Sequence, residues 1–197
     1  MKFEYVGFKP EINQRGIVYK QGKDDKYVYF PYIYEILYAL NNDYSINNSY
    51  SYDIKMDKAN IDELFNMVQN FFPNLENDIQ KKLDSYEKHL DLEAEKIKDS
   101  VSLSEMDKNI FISNLTLMKD YRIKRAKNKI FYYYSISSIA KIIKKNKIKE
   151  IDIPFNEKFW HILKTLQDIL SAEKILSSTK AVYIDSSLKL KFTTSLF

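Results

Sequence analysis

A strongly basic segment is the part of this sequence best suited to bind another molecule. It holds six cations between positions 119 and 129, then four consecutive aromatic residues at 131–134, then further lysines. The candidate binding residues are Lys119, Arg122, Lys124, Arg125, Lys127, Lys129, Lys144 and Lys145. Cations neutralise phosphates, and neighbouring aromatic rings stack on exposed bases. The segment therefore predicts contact with a nucleic acid, or with the acidic surface of a protein or membrane.

The charge pattern along the chain offers another interpretation of the same cations. The net charge of +4 conceals an acidic stretch, residues 53–107, with 14 acidic and 7 basic side chains. A basic stretch, residues 108–149, follows with 12 basic side chains and one acidic. If the two stretches fold against each other, flanking charges pair within the chain and favour one register. Because the basic excess is larger, we expect residues 125–149 to keep some uncovered positive surface.

The side chains that usually carry catalysis or bind metals are scarce. The chain has no cysteine, which excludes disulfides, thiolate metal sites and cysteine nucleophiles. Its two histidines, His89 and His161, belong to no Glu-x-x-His pair, and three glycines build neither a phosphate loop nor a Gly-x-Ser-x-Gly elbow. We therefore predict a non-enzymatic protein with no catalytic residue, no metal site and no cofactor.

Two long helices are expected to carry the charged stretches. After Pro73, apolar residues recur at steps of three and four, which is the spacing of one helix face. This candidate hairpin seam consists of Leu75, Ile79, Leu83, Tyr86, Leu90, Ala94 and Ile97, and it continues to Val101. Apart from Leu92 the residues between are polar, so the seam is narrow and indicates contact with one or two helices, as in a coiled coil.

A second helix follows a short break at 100–104. Ser104 and Asp107 resemble a capping box, and no glycine or proline occurs from there to about residue 146. Its less regular seam comprises Leu115, Met118, Ile123, Ala126, Ile130, Tyr133, Ala140 and Ile143. We predict that the two helices form a long antiparallel hairpin at about 75–146, within a protruding domain at 73–149.

The rest of the chain is predicted to form a compact α+β body from residues 1–72 and 150–197. Short β-prone runs occur at 3–8, 16–20 and 26–30, and a C-terminal hairpin is expected at 181–185 and 188–192. Helices are expected at about 31–40, 57–72 and 156–176. The predicted fold class is α+β, predominantly helical, with a small antiparallel sheet that joins the N-terminal strands to the C-terminal hairpin.

These features favour a binding role for the chain. No apolar stretch approaches the length of a membrane span and the N-terminus has no signal-like segment, so a cytoplasmic protein is expected. The seam from Leu75 to Val101 is too long for a compact body to cover. We therefore expect a binding or assembly protein whose hairpin engages a protein partner or a second copy of the chain. The alternative is nucleic-acid binding through the Lys/Arg/Tyr-rich segment 119–149.

Overall fold

The structure, a computed structural model, describes residues 29–42, 58–148, 150–154, 157–172, 176–184 and 187–194, with side chains at 29–42, 61–148 and 159–172. The helices are α1 (Phe30–Asn42), α2 (Lys58–Gln69), α3 (Leu75–Lys98), α4 (Glu105–Asn146) and α5 (Glu157–Ala172). The strands are β1 (Glu150–Pro154), β2 (Leu176–Ile184) and β3 (Ser187–Thr194).

The predicted fold class is wrong. Among the residues with described side chains, about 89% lie in five helices and none lies in a strand. The core formed by the described side chains therefore consists of helices, and no sheet that joins the two ends of the chain is seen among the described residues. A strand was predicted at 26–30 because the aromatic residues of this run favour β structure. Tyr29 and Phe30 instead form a helical turn at the start of α1 and are buried there.

The described strands are defined by their backbone positions, and all of them follow α4. They pair antiparallel in the order β1-β3-β2, with Glu150 opposite Lys191 and Ile184 opposite Ser187. The N-terminal runs predicted at 3–8 and 16–20 lie outside the described residues. No described strand therefore comes from the N-terminal part of the chain.

The described residues divide into two compact units. The hairpin unit comprises Asn74–Phe131, which is α3 and the first part of α4. The core unit comprises the described residues of Val28–Pro73 and Tyr132–Phe197. The division falls inside α4, a helix of 42 residues. The predicted protrusion of 73–149 stays a prediction.

Among the described side chains of the core unit, four helices supply the buried apolar residues. In this unit α1 packs against α2 and α5, and the ring of Tyr32 meets that of Phe159 edge-on at a centroid distance of 4.9 Å. α2 contributes buried residues at helical spacing, from Ile61 to Val68. The second part of α4 is buried over a wide face: Tyr132, Ser135, Ile136, Ser138, Ile139, Ala140, Ile142 and Ile143. Such a wide face is typical of a helix inside a globular core.

Polar contacts orient α4 within this core unit. The buried Tyr132 hydroxyl lies 3.0 Å from the Thr165 hydroxyl on α5, and burial raises the pKa of Tyr132 to about 12. On the side towards α2, Lys141 donates a hydrogen bond of 3.0 Å to the Phe71 carbonyl oxygen. The same ammonium group lies 3.7 Å from the centroid of the Phe72 ring. Lys141 therefore stabilises the turn that follows α2 through a hydrogen bond and a cation–π contact.

Both ends of α4 carry recognisable caps. At the N-terminus the Asp107 backbone N–H donates to the Ser104 hydroxyl oxygen at 3.2 Å, as the predicted capping box requires. The Ser104 hydroxyl in turn donates to the Asp107 carboxylate at 2.7 Å. At the C-terminus, Ile148 N–H bonds to the Ile143 carbonyl and Lys147 N–H to the Lys144 carbonyl. These two bonds form a Schellman motif in which Lys147, at φ 51°, holds the left-handed position.

A glycine at position 147 should stabilise the protein. The left-handed conformation costs a residue with a Cβ roughly 1–2 kcal/mol, part of which glycine recovers despite its greater freedom in the unfolded chain. We expect Lys147→Gly to raise the free energy of unfolding by about 0.5–1 kcal/mol in urea titrations. The matched control, Lys145→Gly inside the last helical turn, should lower it by up to about 1 kcal/mol. A loss of stability in Lys147→Gly would contradict the assignment of this cap.

Candidate functional site

The predicted seam on α3 is buried mainly in the half of the helix near its N-terminus. Four of the predicted seam residues are buried in the hairpin unit: Leu75, Ile79, Leu83 and Leu90. Tyr86, Ala94 and Ile97 are half-buried, and Val101, just beyond the helix, is fully exposed. The seam therefore loses its cover as α3 approaches the connection to α4.

Ion pairs hold the two helices of the hairpin unit side by side. The Lys119 Nζ atom lies 2.9 Å from Glu87 Oε1 and 2.9 Å from Asp91 Oδ1, one helical turn apart on α3. The Arg122 Nη1 atom lies 3.7 Å from Glu93 Oε2. Lys119 and Asp91 are 28 positions apart, which in one straight helix would separate them by about 42 Å. The chain therefore reverses between α3 and α4, and acidic side chains of α3 meet basic ones of α4.

The pairing perturbs the lysine itself. Hydrogen bonds to Glu87 and then Asp91 raise the pKa of Lys119 above its ordinary value, against a small opposing effect of desolvation. A raised pKa in the folded state means that the pairing stabilises fully below the pKa of an unfolded lysine, about 10.4. The contribution is lost only as the pH rises through the folded-state pKa. The pairs are thus intact throughout the neutral range.

The remaining candidate cations fall into two groups. Lys124, Arg125 and Lys127 follow on α4, and each has an interaction partner. Lys129, Lys144 and Lys145 are exposed, and no ion pair joins them to another residue of the described part of the chain. The structure therefore does not bring the eight predicted cations into one set.

The aromatic run beside these cations is mostly core. Phe131 and Tyr132 are fully buried, and the Tyr134 ring packs edge-on against Phe72 at 4.9 Å. Tyr133 alone among the four is classed as exposed. Rings held in this way cannot serve as a series of stacking surfaces for bases. The predicted surface of adjacent exposed cations and exposed rings is therefore not formed by the described residues, which expose only individual side chains of this kind.

Sequence reasoning missed a group of exposed apolar side chains on the hairpin unit. Met106 is 71% exposed and Leu117 is 80% exposed on α4, and Leu92 is 54% exposed on α3. Val101 and Phe111 are exposed as well. The sequence held two signals of this exposure. Leu92 is isolated on an otherwise polar helix face, and Met106 and Leu117 lie outside the predicted α4 seam.

The histidines and carboxylates of the described residues do not converge. His89 is exposed on α3, and His161 lies with its ring 5.8 Å from that of Tyr29 in the core unit. Across the residues that the structure describes, no group of three or more His, Cys, Asp or Glu side chains could hold a metal ion. None of the described helices is both long and apolar enough to span a membrane.

No protein-family model matches the chain, and comparisons with curated proteins and with solved structures give no significant match. Function is therefore inferred from the residues of the chain alone. Of the surfaces found, the exposed apolar side chains of the hairpin unit are the most unusual for a surface. Single exposed apolar residues are common on proteins, whereas contiguous exposed apolar patches are typical of interaction sites.

Reversal of the charge at position 119 should weaken the hairpin. In Lys119→Glu a third carboxylate would lie between Glu87 and Asp91, so we expect a lower melting temperature by circular dichroism. The decrease in melting temperature should become smaller as salt is raised from about 20 mM to 500 mM, because salt ions screen these solvent-exposed charges. Lys129→Glu is the matched control, since it makes the same charge change without an ion pair to a described residue. Equal effects of both substitutions would show that the pairs do not stabilise the hairpin.

Proposed function

We propose that this chain is a non-enzymatic binding or assembly protein that engages a protein partner, or a second copy of itself, through its hairpin unit. One observation carries the proposal. Of the eight large apolar side chains that are exposed among the described residues, five lie on the hairpin unit: Leu92, Val101, Met106, Phe111 and Leu117. Because most of the described chain outside this unit buries such side chains, their concentration here supports a role in contact.

The energetics favour contact with another apolar surface. Removal of one large aliphatic side chain from water contributes about 1.5–3 kcal/mol. Met106 and Leu117 are both largely exposed in the isolated chain, so most of this free energy would be gained only when a partner covers them. They lie on a regular helix capped at Ser104, so their backbone is already ordered before a partner arrives and only the side chains lose freedom on binding.

The binding role can be tested by capture with the full chain. The bait would be immobilised wild-type protein or the double variant Met106→Glu/Leu117→Glu, presented to native cell extract and to purified chain. We expect the wild type to retain a protein, either the second copy or another chain, and the double variant to lose at least about nine-tenths of it. Thr116→Glu, a neighbouring exposed position, is the matched control and should retain binding. If wild type and double variant capture equally, or nothing is captured, the proposal is wrong.

A nucleic-acid role is the second candidate, favoured by exposed Lys129, Lys144 and Lys145. Two of the cations on which that prediction depended, Lys119 and Arg122, are instead paired with acidic side chains of α3. This pairing lowers the positive charge that the hairpin unit can offer to phosphates. The nucleic-acid role therefore rests on fewer cations than the sequence suggested.

Fluorescence anisotropy with labelled single-stranded and duplex oligonucleotides tests the second candidate. At about 50 mM salt, binding should weaken by roughly an order of magnitude when Lys129, Lys144 and Lys145 are all changed to Glu. The dissociation constant should also rise steeply with salt. Lys119→Glu, which alters a paired lysine, should have a smaller effect. Absent or salt-insensitive binding would remove this candidate.

A further inference from the structure

We draw no further inference here: the strongest candidate, the exposed apolar surface of α4 around Met106 and Leu117, belongs to the surface already proposed for binding, and nothing in the structure shows what covers it.

Discussion

The structure depends on one uninterrupted helix, α4, that packs in two different ways along its length. Its first part contributes half-buried positions and ion pairs to the hairpin unit. From Phe131 to Ile143 it buries a wide face instead. The change occurs near Asn128, a buried residue whose side-chain nitrogen has no hydrogen-bond partner among the described residues.

The hairpin unit combines a small buried seam with charge pairing because α3 offers little apolar surface. Its buried residues end at Leu90 within the described part of α3, well before the helix ends at Lys98. Exposed ion pairs contribute little individually, but pairs between an acidic and a basic helix favour one register over others. In α3, burial is therefore concentrated near the N-terminus of the helix, and ion pairs join α3 to α4 near Glu87–Glu93.

The sequence predicted the helices well because their signals are local. The spacing of apolar residues, the cap at Ser104 and the absence of glycine and proline gave α3 and α4 close to their observed bounds. The end of the strand predicted at 26–30 was wrong because β propensity reflects packing, and Tyr29 and Phe30 pack among helices. The aromatic run at 131–134 was ambiguous for the same reason, since core and stacking surface use the same residue types. Which cations pair depends on contacts between distant positions, which spacing alone does not give.

The reversal of charge along the chain has two consequences that follow from one arrangement. Acidic residues of α3 pair with basic residues of α4, as Lys119 does with Glu87 and Asp91. The same pairing lowers the positive charge that Lys119 and Arg122 can offer to another molecule. A pattern that favours one arrangement of helices within the chain therefore also reduces what the basic segment can attract outside it.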